Sequence, residues 1–359
     1  MTLPALDGIP EKLQALLTYD ASSPLIFSSG LFLFLFAGFM LVYSMFRRAP
    51  MARIVYVILF SLYFYYKSSG IYFLLLIFAA TSDYWIAKGI HAARSTRAKR
   101  WLVVLSVAVN LGMLAYFKYT NFLIDIANQM FGQGFMQFQN IFLPVGISFF
   151  VFQSMSYTID IYRGQLKPLD NWCDYLFYLS FFPQLVAGPI VRARDFIPQI
   201  RQNPIVVTRE MFGTGVFLIL TGLFKKAIIS DYISLNFVDR IFDEPLLYSG
   251  FECLAGIYGY ALQIYCDFSG YSDMAIGIAL LLGFRFPKNF DAPYKSATIT
   301  EFWRRWHISL STWLRDYLYI SLGGNRKGKL RTYGNLLITM LLGLSLIHIS
   351  EPTRRVVIS

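Results

Sequence analysis

The chain of 359 residues is 56% hydrophobic and 18% aromatic, and only 15% of its residues are charged. This composition excludes an ordinary soluble domain and predicts an all-α, polytopic integral membrane protein, because apolar segments of roughly 20 residues cross a bilayer as helices. The formal net charge of +11 would suggest a nucleic-acid partner for a soluble protein. Here the basic residues lie between apolar runs, where positive-inside loops explain them, and we expect no nucleic-acid partner.

The first half of the chain alternates apolar runs with polar connections. Residues 1–24 lack the pattern of a secretory signal and are predicted to form a polar N-terminal extension. A glycine-, asparagine- and glutamine-rich run at 128–140 predicts an outer loop. Basic stretches at 47–53 and 91–100 favour cytoplasmic loops and an outer N-terminus. Spans are predicted at 25–46, 54–66, 71–90, 101–119 and 141–162.

The segment 172–191 is interrupted by Pro183, Gly188 and Pro189. Non-helical backbone at membrane depth is tolerated where it is buried in protein or lines a cavity, so we predict a re-entrant segment. The alternative is a continuous helix with a proline kink. Further spans are predicted at 212–233 and from 333, and the run 248–286 is too long for one simple span.

Two carboxylates, Asp267 and Asp273, lie within the apolar run 248–286. Buried carboxylates usually face a bundle interior or a water-filled cavity. Their alternative roles are structural, as helix caps near Ser269 and Gly270 or as partners of an arginine. The paired lysines Lys225 and Lys226 either snorkel or face a polar interior.

The stretch 298–331 places a histidine among tryptophans and arginines. Thr298 and Glu301 fit a capping box, and Gly323 and Gly324 can end a helix. We predict one continuous helix here, at the cytoplasmic face, with His307 on an apolar stripe. The arginines, Ser309, Thr312 and Asp316 are predicted to project away from this stripe. The residues alone leave two interpretations of His307 open, a satisfied core histidine and a general base.

Five motifs in order resemble the membrane-bound O-acyltransferases, in particular the branch of alginate O-acetylation and D-alanyl-transfer proteins. The similarity extends over about 25–343, which we take as an incomplete transmembrane domain. The motifs are FLPVGISFFVFQSMSYTIDIYRG (142–164), FFPQLVAGPIVR (181–192), YCDFSGYSDMAIG (265–277), FRFPKNFDAPY (284–294) and EFWRRWHISLSTWLRDYLYISLGGNR (301–326).

The resemblance implies a ring of transmembrane helices, with re-entrant and interfacial helices, around a central tunnel in the inner membrane of a bacterium. An acyl group, acetyl in the favoured case, would pass from cytoplasmic acyl-CoA or an acyl carrier thioester to a hydroxyl of an exported polysaccharide or cell-envelope polymer. The implied partners are the lipid bilayer, a carrier protein and polysaccharide-modifying proteins outside the membrane, with no bound cofactor. His307 matches a family histidine. The substrate or tunnel candidates are Trp303, Arg304, Arg305, Trp306, Asp267, Asp273, Asn325 and Arg326.

A second family histidine, the one usually assigned as catalytic, would fall at Ile347, and His348 is one residue out of register. The run LSLIHISEPTR from Leu344 resembles a translated sequencing adapter. We therefore expect 344–359 to be a non-native tail and the chain to be an inactive fragment.

Other functions remain open on the residues. A multi-pass transporter or polymer-export channel is suggested by the intramembrane carboxylates and the broken helix. An inert membrane scaffold and D-alanyl transfer to teichoic acid are further alternatives. Cys173, Cys253 and Cys266 are unclustered, so we expect buried or inert thiols and neither disulfides nor a metal site.

Overall fold

The computed structural model describes residues 16, 18–20, 24–132, 134–139, 141–326 and 328–348, with side chains as far as residue 343. These residues form helices and no strand, in agreement with the all-α prediction. The helices are α1 Gly30–Met45, α2 Pro50–Ser69, α3 Phe73–Ala92, α4 Thr96–Phe131, α5 Ile147–Tyr162, α6 Trp172–Ser180, α7 Ala193–Ile200, α8 Arg209–Leu223, α9 Gly250–Leu281, α10 Ile299–Arg305, α11 Ile308–Trp313 and α12 Lys329–His348.

Three helical stretches of the described chain are long and apolar enough to cross a membrane: Pro50–Ala92, Thr96–Phe131 and Arg209–Asp243. Their outward faces carry large apolar side chains, for example Trp101, which is 72% exposed, and Phe217, which is 67% exposed. Water would not tolerate so many exposed apolar groups, whereas lipid would. These faces therefore agree with the predicted membrane setting.

Helices α2, α3 and α5 pack against the broken segment, and the turn within it also contacts α9. Helix α6 ends at Ser180, a single turn follows at Phe182–Leu185, and the backbone is then non-helical to Arg192. Residues 181–191 are buried throughout. The helix is therefore interrupted near the predicted proline and glycine positions, and a continuous kinked helix does not form. The re-entrant path of this segment stays a prediction. Gly146, with a φ of 74°, lets α5 approach this segment, since a Cβ there would lie 2.0 Å from the Leu185 carbonyl oxygen.

Helices α8 and α9 pack closely through glycines. The helix that begins with α8 continues to Asp243 and includes π-helical turns at Phe224–Asp231 and Ser234–Val238. A Cβ on Gly222 would lie 2.5 Å from the Gly270 carbonyl oxygen, so only a residue without a side chain allows this spacing. Helix α9 is a single helix of 32 residues, roughly 48 Å long at about 1.5 Å per residue. It is therefore longer than a simple span, as its sequence predicts.

The predicted end of the fourth span is wrong. Helix α4 continues from Tyr119 to Phe131 and includes the first residues of the predicted outer loop. The polar residues that suggest a loop here serve the connection that follows. Asn128 accepts a hydrogen bond from the backbone N–H of Met136 at 2.7 Å, and Asn121 accepts one from that of Gln139 at 3.0 Å. Their side chains thus secure residues 134–139 while their own backbone remains helical.

Two basic connections, 47–53 and 192–209, meet at one end of the helices, which we call the positive end. Arg53 donates to the carbonyl oxygens of Ile200 and Gln202 at 3.0 and 2.7 Å. Arg201 pairs with Asp174 at 2.8 Å. The loop 47–53, which is predicted to be cytoplasmic, and the basic run 192–209 therefore lie on the same side of the molecule, although they are far apart in sequence.

Candidate active site

The stretch 298–331 does not form one continuous helix. Thr298 caps α10 as predicted, accepting from the Glu301 N–H at 3.2 Å. Helix α10 then ends at Arg305, and α11 begins at Ile308 and continues as π-helical turns at Leu314–Tyr319. The break falls at His307, which adopts the left-handed conformation with a φ of 43°. The prediction of one continuous helix is therefore wrong, and the break directs the His307 side chain towards the interior of the molecule.

His307 is only 5% exposed and lies among aromatic rings. The Phe268 ring meets it edge to face, with centroids 4.7 Å apart. Phe290 lies roughly parallel to the imidazole at 6.2 Å, and Phe149 of α5 is 6.4 Å away. Side chains from three separate parts of the chain thus fix the ring and exclude bulk water from its surroundings.

Asn289 orients the histidine. Its Oδ1 lies 3.0 Å from Nδ1 of His307, and the same oxygen accepts from the Ser309 hydroxyl at 2.9 Å and the Ser309 backbone N–H at 3.3 Å. Its amide nitrogen donates to the Ser272 hydroxyl at 3.0 Å. A backbone N–H can only donate, so the amide oxygen must face Ser309 and His307. The His307 Nδ1 therefore carries the proton, and in the neutral ring the lone pair lies on Nε2.

Ser309 links this cluster to the broken segment. Its hydroxyl accepts a hydrogen bond from the backbone N–H of Ile190 at 3.0 Å. Ile190 lies in the non-helical part of the segment, so Ser309 satisfies a buried N–H group that has no helical partner. Ser309 is predicted to project away from His307, but it is 6% exposed and on the same side. That prediction is wrong because the break at His307 changes the angular relation between neighbouring residues.

The other residues of this stretch divide into two groups. The Trp306 ring contacts the Phe290 ring edge to face at 5.2 Å, so it lies beside the site. Arg304 is exposed, and Arg305 pairs with Glu301 at 2.7 Å. The candidates farther along the chain, Asn325 and Arg326, lie in the exposed turn after α11, while Trp303 is half-buried against Phe302.

The two carboxylates of α9 pair with the paired lysines of the π-helical turn. Lys225 Nζ lies 2.6 Å from Asp273. Lys226 Nζ, on a side chain 3% exposed, hydrogen bonds to Asp231 at 2.7 Å and lies 2.8 Å from Asp267 without hydrogen-bond alignment. The structural alternative with a basic partner is therefore what forms, with lysine in place of arginine, and neither carboxylate caps a helix.

Asn289 is a residue of this site that is not predicted from the sequence. A signal for it exists in the motif at 284–294, where Asn289 is the one amide side chain and lies between Lys288 and Phe290. The predicted position of the second histidine, Ile347, and the neighbouring His348 fall outside the described side chains, and the predicted tail lies largely beyond the described residues. Within the described part of the chain, no three His, Cys, Asp or Glu residues gather as a metal ion would require.

A helical membrane protein with an oriented, buried histidine is the class that this fold and site define. The family model of the membrane-bound O-acyltransferases matches residues 166–348, and the chain belongs to this family. The match includes the broken segment, both ion-paired helices and His307.

Curated bacterial proteins are similar over most of the chain. It is 46% identical to the "Probable alginate O-acetylase AlgI" of Azotobacter vinelandii over 325 residues, which cover 89% of this chain and 64% of that protein. It is 35% identical to the peptidoglycan O-acetyltransferase of Helicobacter pylori, over 89% of this chain and 66% of that protein. Identity to the teichoic acid D-alanyltransferase of Bacillus subtilis is 32%, over 50% of this chain and 46% of that protein. The chain thus spans just under two thirds of the length of the relatives it matches over most of its own sequence.

Proposed function

We propose that this protein is an O-acetyltransferase that modifies hydroxyl groups of a bacterial cell-envelope polysaccharide. The observation that carries the proposal is the hydrogen bond between Asn289 Oδ1 and His307 Nδ1 in a member of the O-acyltransferase family. The names of the relatives support acetyl as the acyl group and an envelope polymer as the acceptor. D-alanyl transfer has weaker support, because that similarity covers half of the chain.

His307 is proposed to act as a general base through Nε2. The acceptor hydroxyl gives its proton to Nε2 while its oxygen attacks the carbonyl carbon of an acyl thioester. The tetrahedral intermediate then collapses, the carbon–sulfur bond breaks, and the thiolate takes the proton from the imidazolium. The products are the ester and the free thiol. Asn289 contributes by keeping the proton on Nδ1, since the other tautomer would place the lone pair on the wrong nitrogen.

We further propose a multi-pass arrangement in the inner membrane, with the positive end in the cytoplasm and the helices around a tunnel. The positive-inside rule supports this orientation. The donor would be acyl-CoA or a carrier-protein thioester, and the partners would be the bilayer and polysaccharide-modifying proteins outside it. The transporter alternative has weaker support, because the family and the similar proteins are acyltransferases.

The test is acetyl transfer from radiolabelled acetyl-CoA to an oligosaccharide acceptor in lipid nanodiscs, measured with the protein expressed at the full length of its relatives. We expect His307→Ala to lower the transfer rate by about 100-fold or more, because it removes the general base. The matched control is His91→Ala, at an exposed histidine near the end of α3, which should transfer at the wild-type rate.

Unchanged transfer by His307→Ala would remove this histidine from the mechanism. Transfer of D-alanine in preference to acetate would replace the proposed acyl group and leave the role of His307 intact. An absence of transfer from every donor would contradict the enzymatic function itself.

A further inference from the structure

A pocket of about 420 Å³ opens at the positive end, and its lining residues do not include His307. It is formed where the end of α5, the residues after the broken segment and the π-helical continuation of α11 meet. Three arginines line it together with two aspartates and a tyrosine: Arg163, Arg192, Arg194, Asp160, Asp316 and Tyr317.

The arginines are held in place by neighbouring groups. Arg192 pairs with Asp316 at 2.7 Å, and both side chains are mostly buried. Arg163 donates to the Asp316 carbonyl oxygen and to the Ser321 hydroxyl, each at 3.1 Å. The guanidinium groups of Arg163 and Arg192 lie 5.2 and 5.5 Å from the centre of the Tyr317 ring. Two guanidinium groups are therefore ordered before any ligand arrives, which reduces the entropic cost of binding.

The charge of the pocket favours an anion. Asp160 is 1% exposed, and both of its oxygens lie 2.8 Å from the Tyr317 hydroxyl, which donates to it. Burial raises the pKa of Asp316, but the hydrogen bonds from Arg315 and Arg192 outweigh it and hold that pKa below its ordinary value. Asp316 thus remains a fixed counter-charge. Arg194 is 45% exposed, and its nearest carboxylate, that of Asp195, lies 3.7 Å away. Three arginines thus face two carboxylates, and planar guanidinium groups match phosphate oxygens in geometry.

One element joins the pocket to the histidine. His307 is the residue before α11, and Asp316 and Tyr317 belong to the turns that continue it. The nine residues from His307 to Asp316 correspond to roughly 14 Å along a helix axis. Between them, Trp313 donates to the Phe152 carbonyl oxygen at 3.0 Å and fixes α11 against α5. A ligand with a phosphate at one end and a reactive group on a long flexible arm could occupy both places.

We propose that the pocket of Arg163, Arg192 and Arg194 binds a phosphate of a phosphopantetheinyl acyl donor, whose thioester arm extends along α11 to His307. This inference rests on the proposed function, since the donor of an acyltransferase carries the phosphate. The same phosphate chemistry occurs in free acetyl-CoA and in the prosthetic group of an acyl carrier protein.

The test compares a donor that has phosphate with one that lacks it. In nanodiscs that hold the same full-length protein, Arg194→Gln and Arg163→Gln should raise the KM for acetyl-CoA by about 10-fold or more, because each removes a charged hydrogen-bond donor. The KM for S-acetyl-N-acetylcysteamine, which has the thioester but no phosphate, should stay at the wild-type value in both variants. The matched control is Arg97→Gln, at an exposed arginine of α4, which should change neither.

Further arms separate the sources of phosphate. A KM increase for an acetylated carrier protein, with none for acetyl-CoA, would assign the pocket to the carrier's prosthetic group and support the proposal. Equal losses with acetyl-CoA and S-acetyl-N-acetylcysteamine would overturn it in favour of a structural role. Loss of copurified anionic lipid in the arginine variants, with unchanged KM for every donor, would also overturn it and assign the pocket to a lipid headgroup.

Direct binding keeps this proposal distinguishable from the proposed function. Coenzyme A binding, measured by calorimetry in nanodiscs, should weaken about 10-fold in Arg194→Gln and stay unchanged in His307→Ala. If wild-type protein transfers no acetyl group but shows this pattern, the enzymatic function fails and the phosphate site stands. If Arg194→Gln and Arg163→Gln bind coenzyme A as the wild type does, the phosphate site fails whatever the transfer assay shows.

Discussion

At the scale of single residues, Asn289 acts on the proposed reaction through another side chain. It is 1% exposed, and its amide oxygen accepts hydrogen bonds from His307 and Ser309. Because it holds the imidazole and touches no reacting atom, we regard it as a positioning residue. Its loss should therefore change how often the ring is correctly oriented and leave donor binding as it was.

We predict that Asn289→Ala lowers kcat about 10-fold or more with an unchanged KM for acetyl-CoA, since the orienting acceptor is gone and the donor site is intact. Asn289→Asp, which keeps an oxygen towards His307 and Ser309, should retain more activity than the alanine variant. Steady-state kinetics of both variants in nanodiscs provide the measurement. A larger KM with an unchanged kcat would show that Asn289 belongs to the donor site.

At the scale of elements, the contact between α8 and α9 depends on residues without side chains. Replacing Gly222 by leucine would force the helices apart, because even a Cβ has no room beside Gly270. We predict that Gly222→Leu destabilises the protein by about 1–3 kcal/mol, as overpacking does elsewhere. Thermal unfolding in detergent measures the effect. Gly213→Leu, on the same helix with no atom within 4 Å of its Cβ position, is the control and should unfold at the wild-type temperature.

The same two helices are joined by buried charges. Lys226 lies between Asp231 and Asp267, so Lys226→Ala leaves carboxylates without this cation in an apolar bundle. We expect a loss of about 3 kcal/mol of stability, because an uncompensated buried charge is expensive. Adding Asp267→Asn should recover part of the loss in the same unfolding assay. Equal stability of the wild type and Lys226→Ala would show that the cluster is solvated.

At the scale of the whole molecule, the positive end predicts the orientation in the membrane. In a variant whose cysteines are replaced by serine, new cysteines at Arg48 and Arg97 should react with a membrane-impermeant maleimide only after the cytoplasmic side is opened. A cysteine at Gln137, in the connection after α4, should react in intact spheroplasts. The reverse pattern would place the arginine pocket outside the cell and exclude a cytoplasmic donor there.

The sequence predicts most of this architecture and part of the site. Apolar runs and basic loops predict the helices, since lipid requires both length and apolar character. The cap at Thr298 and the break after Ser180 follow from local chemistry. The end of α4 is missed because Asn121 and Asn128 use their side chains to hold the connection that follows, while their own backbone stays helical. The break at His307 and the role of Asn289 are missed because both depend on contacts between 289–291 and 305–309 that no local pattern encodes.

The left-handed backbone at His307 also limits which amino acids this position accepts. A residue with a Cβ is strained at a φ of 43°, and outside glycine it is asparagine, aspartate and histidine that tolerate this region best. The neighbouring hydrogen bond from Ile308 N–H to the Asn289 carbonyl oxygen, at 2.8 Å, holds the strained turn in place. Among variants at position 307, those with these side chains should therefore be the most stable, and other residues should cost about 1–2 kcal/mol of backbone strain. Among these side chains, imidazole alone is an efficient base near neutral pH. The backbone conformation at position 307 therefore favours few residue types, and histidine is the one among them that can act as a general base.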